Sequence, residues 1–130
     1  MRLLLDTHVF LWLISGSPEI PPTVLSAVRD PGNQVFLSVA SVWEAIVKFQ
    51  LGKLSLPEPP ETYLPAQRER HQVTSLAIEE ADLSHLSVLP PIHRDPFDRI
   101  LIAQALRSNL VFVTVDARIR AYPVTLMVWS

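Results

Sequence analysis

The chain has 130 residues, 48% of them apolar, with 11 basic and 13 acidic side chains and a net charge of −2. That is enough apolar material for one continuous core, and the near-neutral balance argues against gripping long nucleic acid through a general basic surface. Cysteine is absent, which excludes disulfide frameworks, zinc–thiolate sites and thiol catalysis and fits a reducing cytoplasm.

Arg2 to Leu5 is a short apolar run that ends at Asp6-Thr7, and Val9 to Ile14 continues apolar, so a buried strand turning into a helix is expected with Asp6 at the junction. Asp6 and His8 interrupt this apolar start and no small-residue cleavage site follows, so it does not read as a signal peptide. No run reaches the ~20 apolar residues of a membrane helix, and a soluble protein without membrane partners is expected. Pro21-Pro22-Thr23 can open a second helix, Val24 to Arg29, stopped by the turn chemistry of Asp30-Pro31-Gly32-Asn33. Gln34 to Val39 reads as a strand, and from Ser41 the spacing of Val42, Ile46 and Phe49 becomes helical as far as Leu51-Gly52, with Glu44 in its first turns.

Four prolines between Pro57 and Pro65 make Leu56 to Glu61 a loop, followed by a polar surface helix from Glu61 to Arg70. Gln72 to Leu76 is a short strand and Ile78 to Leu86 a helix. Asp95-Pro96-Phe97-Asp98 has an N-cap acid, a proline at the first helical position and a second acid, and it leads into the apolar helix Ile100 to Leu106. Leu110 to Val115 is the clearest strand; it ends at Asp116, before a short helix from Ala117 to Tyr122 and a last strand from Thr125 to Trp129. Strands alternating with helices imply an α/β fold with a mostly parallel sheet covered on both faces.

In such sheets the ligand crevice lies outside the carboxyl ends of the strands, where Asp6 and Asp116 fall. Glu44 and Asp98, near helix starts, can point into the same crevice. Each acid also has a structural role open to it: Asp6 and Asp116 as caps, Glu44 paired with Lys48 at i,i+4, Asp98 facing the helix dipole. Four acids on one edge repel one another, and a hard divalent cation such as Mg2+ or Mn2+ resolves that repulsion while keeping positions open for phosphate. Thr7 and Thr114 flank acids and can orient a carboxylate, and Arg94 and Arg99 bracket Asp95 to Asp98 as candidate phosphate contacts. His8 and His93 lack paired metal spacing and are not read as ligands, and Trp12, Trp43 and Trp129 are read as core. There is no GxSxG elbow and no glycine-rich phosphate loop, with only three glycines in the chain.

These residues resemble a known family. Leu4-Leu5-Asp6-Thr7-His8, Ser38 to Glu44 with Lys48, Leu51-Gly52-Lys53-Leu54, His93 to Arg99 running into Ile102-Ala103-Gln104-Ala105, and Thr114-Val115-Asp116 resemble PIN-domain ribonucleases, and within them the VapC-type toxins of toxin–antitoxin pairs. The resemblance covers nearly the whole length. It implies one Rossmann-like α/β/α sandwich over residues 1–130 and Mg2+- or Mn2+-dependent endonucleolytic cleavage of RNA. It further implies a homodimer and a small VapB-like antitoxin partner. It carries metal-binding acids onto Asp6, Glu44, Asp98 and Asp116, with Asp95 as a subgroup feature. Ala117-Arg118-Ile119 departs from the family, in which many members place a phenylalanine after the last acid. Two rivals remain. A phosphatase of the haloacid dehalogenase type demands a second acid two residues after the first, where this chain has His8. A catalytically silent PIN-fold interaction module would use the acids only as caps.

Overall fold

The structure is a computed structural model and describes residues 1–129. Five strands form one sheet: β1 (Arg2–Leu5), β2 (Gln34–Ser38), β3 (Thr74–Leu76), β4 (Val111–Thr114) and β5 (Leu126–Val128). Their order is β3-β2-β1-β4-β5 and every pairing is parallel. Two helices, α1 (Thr7–Ser15) and α2 (Pro22–Arg29), connect β1 to β2. Next come α3 (Val39–Gln50) and α4 (Pro60–Arg70) before β3, then α5 (Glu80–Val88) and α6 (Pro96–Ser108) before β4. A 3-10 turn, Ala117–Ala121, precedes β5. Among the described residues no helix is long and apolar enough to cross a membrane.

The strand residues explain why both faces are covered. Side chains alternate across a strand, so Leu3, Leu5, Val35, Leu37 and Val113 enter one core with Val9, Phe10, Leu13, Val24 and Leu64. Leu4, Phe36 and Phe112 enter the other with Ile100 to Ala103, Leu110 and Ile119. A one-residue slip of β1 against β4 would exchange the two sets, so the apolar pattern fixes the register that pairs Leu4 with Phe112. The helices therefore divide, α1, α2 and α4 over the first face and α6 over the second.

Several expected boundaries moved. β3 begins at Thr74 rather than Gln72, because Gln72 takes a positive φ of 57° at the turn after α4. The α4 helix is less of a surface element than its polar composition suggests: Leu64 is fully buried and Pro60 is buried with it. Pro65 lies inside this helix and forgoes one i→i−4 bond. Trp12 and Trp129 are half-buried and lie 6.4 Å apart at the margin of the first core. Trp43 is not core; 58% of it is exposed, because it shares helix α3 with buried Glu44 and Ala45 but points off their face.

From β1 the chain winds outward to β2 and β3, then crosses back to place β4 on the other side of β1. The strand order thus reverses between β1 and β4, and a crevice opens at the carboxyl ends of these two strands. Asp6 follows β1 there, its amide donating to Val113 O at 2.9 Å, and Asp116 follows β4.

Phe112 is fully buried in β4 between neighbours on both sides. Phe112→Ala is expected to lower stability by about 3–5 kcal/mol, read from urea unfolding followed by far-UV circular dichroism. A loss below about 1 kcal/mol would show that the core around β4 closes over the void.

Candidate active site

The four acids arrive from four places. Asp6 caps α1 directly after β1, and Asp116 caps the 3-10 turn, separated from the end of β4 by Val115. Glu44 lies in the second turn of α3, which Ser38 starts by accepting from Ala40 N. Asp98 is the third residue of α6, whose cap is Asp95 accepting from Phe97 N, with Pro96 in first position. Capping and site placement coexist: Asp6 uses Oδ1 for the Thr7 amide at 2.8 Å and keeps Oδ2 for the Thr114 hydroxyl at 2.7 Å.

Hydrogen bonds tie Glu44, Asp6 and Asp116 together, and Asp98 meets them through a contact with His93. Lys48 Nζ pairs with Glu44 Oε2, and Thr7 Oγ1 donates to Glu44 Oε1 at 2.7 Å while Thr7 N caps Asp6. Thr114 Oγ1 donates to Asp6 Oδ2 and accepts from Asp116 N at 3.0 Å. Asp116 Oδ2 then lies 3.0 Å from His93 Nε2, which is 3.2 Å from Asp98 Oδ2. The hydroxyls of Thr7 and Thr114, both buried, thus orient acids from other elements, Glu44 and Asp6 respectively.

The remaining candidates divide. Arg94 is exposed and lines an open cavity of about 410 Å³ with His93, Asp95, Asp98 and Arg118. Arg99 turns away from it; its guanidinium lies 3.0 Å from Pro90 O, and 3.4 to 3.5 Å from the carbonyls of His93, Leu86 and Leu89. It clamps the segment between α5 and α6 and presents no free face for phosphate. His8 is exposed, 6.3 Å from the Trp12 ring, and lines a separate cavity beside Lys48 and Lys53.

Two residues of the site were not foreseen. His93, set aside as a lone histidine, is buried between Asp98 and Asp116, and the ligand atoms of these three lie within 4.8 Å of one another. Its sequence signals are its place at the start of the His93 to Arg99 segment and five residues before Asp98, which is no helical spacing. Arg118 puts Nε 3.0 Å from Asp116 Oδ1 and a terminal nitrogen 2.9 Å from Oδ2. With Arg118 N on Oδ1 and His93 on Oδ2, every lone-pair position of Asp116 faces a protein donor.

The electrostatics follow this arrangement. Burial pushes Asp98 up to about 7, and Asp6 and Asp95 add to the rise. Burial likewise raises Asp6, against the hydrogen bonds from Thr114 and Thr7 that favour its charge. The Arg118 fork holds Asp116 well below the usual carboxylate range despite partial burial, with His93 assisting. Partial burial opposes the charge of Lys48, but Glu44 outweighs it and the ammonium is held above its ordinary value. The site therefore keeps Asp116 and Lys48 charged, while Asp98 is poised to gain or lose a proton near neutrality.

Carboxylate oxygens suit a hard divalent cation, and among the described residues Asp98 and Asp116 bring theirs together with His93. Three cationic or N–H-bearing side chains, Lys48, Arg118 and His93, neutralise part of the charge. The oxygens lie at the mouth of an α/β crevice, the position at which such sheets bind ligands.

The crevice, its acids and the strand order define a parallel α/β protein with an acidic site. The PIN domain family model matches residues 3–124, and the chain belongs to that family. It is similar to Ribonuclease VapC16 of Mycobacterium tuberculosis, with 35% identity over 75 residues, which is 52% of this chain and 53% of that protein. The match thus spans about half the length of that relative. The fold is also that of VapBC2 from Rickettsia felis, solved bound to a DNA fragment from their promoter: TM-score 0.76 at 16% identity, covering 100% of both chains. VapBC-1 from nontypeable Haemophilus influenzae gives a TM-score of 0.65 at 21% identity over 99% of this chain and 98% of that one.

The raised pKa of Asp98 has a stability consequence. Its folded form holds a proton that the unfolded chain releases near 3.8, so folding is penalised as pH rises from about 4 to about 7. Asp98→Asn removes that penalty. In metal-free buffer with EDTA the variant should melt above the wild type at pH 8 and close to it at pH 4. Equal melting temperatures at both pH values would place Asp98 in a solvated environment instead.

Proposed function

We propose that the protein is a Mg2+- or Mn2+-dependent endoribonuclease that acts as the toxin of a type II toxin–antitoxin pair in the cytoplasm. The observation that carries this reading is the hydrogen-bonded chain from Glu44 through Thr7, Asp6, Thr114 and Asp116 to His93, with Asp98 Oδ2 in contact 3.2 Å from His93 Nε2. Capping alone does not require four acids to share one network, and a buried acid pair such as Asp6 and Glu44 is costly unless a cation serves it.

Asp6, Glu44, Asp98 and Asp116 would hold the cation. When bound it supplies a polarised phosphoryl oxygen and a water of lowered pKa. Thr7 and Thr114 fix which carboxylate oxygens face the crevice, and Lys48 pairs with Glu44 and orients it at i,i+4. Asp98, poised near neutrality, is the acid best placed to take or return a proton. Arg94 at the cavity rim, and Arg118 once released from Asp116, supply guanidinium groups for substrate phosphate.

The RNA substrate rests on the likeness to a VapC ribonuclease, and the antitoxin partner on the VapBC complexes that share the fold. The homodimer rests on the family resemblance of the sequence.

The test is incubation of purified protein with total cellular RNA, in Mg2+ or Mn2+ and in EDTA, beside Asp6→Asn and Asp98→Asn. Each variant removes one charge with little change of shape. Metal-dependent fragments are expected from the wild type, falling by roughly 100-fold or more in both folded variants. Cleavage that persists in EDTA or in both variants would overturn the assignment, and no cleavage by well-folded wild type would favour the interaction-module reading.

A further inference from the structure

His93 lies in the irregular segment between α5 and α6, yet it is held on every side. Its amide donates to Tyr122 Oη at 2.9 Å, and that hydroxyl donates to Pro90 O at 2.9 Å. Arg99 reaches the carbonyls of Pro90 and His93 from the start of α6. The imidazole itself is 4% exposed. So much bracing of a loop residue requires a reason beyond chain connection.

The ring's hydrogen bonds indicate what it does. Nδ1 accepts from the Asp95 amide at 3.2 Å, so the neutral ring carries its proton on Nε2. Nε2 lies between two carboxylates, 3.0 Å from Asp116 Oδ2 and 3.2 Å from Asp98 Oδ2. Those acids stand on separate elements, one after β4 and one in the first turn of α6, and nothing covalent sets their separation. The N–H donates to Asp116 and lies in contact with Asp98, so one oxygen of each is held against a common point. Direct ligation of a cation through Nε2 would require the proton to move to Nδ1, which would oppose it to the Asp95 N–H.

We propose that His93 is a positioning residue: its Nε2–H sets the spacing of Asp98 and Asp116 for a divalent cation, and the imidazole is not itself a ligand. This role rests on the metal-site reading above. Hydrogen-bonded partners of metal-binding carboxylates commonly carry a 10–100-fold share of the affinity, and His93 serves two such carboxylates at once.

Mn2+ binding, read as loss of the free-ion electron paramagnetic resonance signal, separates the possibilities without recourse to activity. Mn2+ is titrated into metal-free wild type, His93→Ala, His93→Asn and His93→Gln, each checked for folding by circular dichroism. Glutamine places an N–H near the position of Nε2, whereas asparagine reaches only as far as Nδ1. His93→Ala and His93→Asn are expected to weaken Mn2+ binding by about 10–100-fold, and His93→Gln to recover most of it. Electron spin echo modulation of Mn2+ on the wild type is expected to show no directly coordinated nitrogen. A coordinated nitrogen, or a glutamine variant as weak as alanine, would overturn the role, and the echo measurement needs no variant to fold. Wild type that binds Mn2+ no better than its variants would sink the role of His93 alone. Wild type that binds no Mn2+ would sink the metal reading with it.

Discussion

Carboxylates placed side by side at the end of a sheet repel one another, and this repulsion is the constraint around which the rest of the molecule is arranged. Between charges about 4 Å apart it amounts to several kcal/mol at the effective dielectric of a protein surface. Burial first, and then the charges of Asp6 and Asp95, shift Asp98 to about 7, so protonation relieves part of the repulsion. Part is relieved by cations drawn from the chain, Lys48 on Glu44 and Arg118 on Asp116. The rest is met by donors that hold each oxygen in place, the hydroxyls of Thr7 and Thr114 and the ring of His93.

The fold makes that gathering possible. A parallel sheet with a reversal between β1 and β4 puts two strand ends side by side, and the helices that follow start their first turns at the same rim. Asp6 and Asp98 therefore serve two purposes, ordering a helix start and carrying charge into the crevice. The cores beneath are built from alternating Leu, Val and Phe, and their register sets the height at which each acid emerges. A core substitution in β4 thus acts on the site through Thr114 and Asp116.

Much of this was legible in the sequence. Strand ends marked by Leu5-Asp6 and Thr114-Val115-Asp116, and the cap of α6 at Asp95-Pro96, are local signals, and local signals fix where an element begins. What stayed hidden depends on contacts distant in the chain. His93 meets Asp116 across 23 residues and sits in a loop with no period to read. Trp43 has the composition of a core residue, and only the face of α3 it occupies exposes it; its ring meets Phe97 edge-on at 4.8 Å. Arg99 looks like a phosphate contact beside Asp98, but α6 turns it toward the carbonyls of the preceding loop. Leu64 anchors a helix whose other residues are mostly polar, so one buried position decides what average composition does not.

The central claim is that the four carboxylates form one cation site, and crystals soaked in Mn2+ test it most directly through the anomalous signal of the metal. The account predicts an anomalous peak bounded by the carboxylates of Asp6, Glu44, Asp98 and Asp116, with the Arg118 guanidinium withdrawn from Asp116. Absence of a peak there, with Arg118 still forked onto Asp116 at saturating Mn2+, would contradict it.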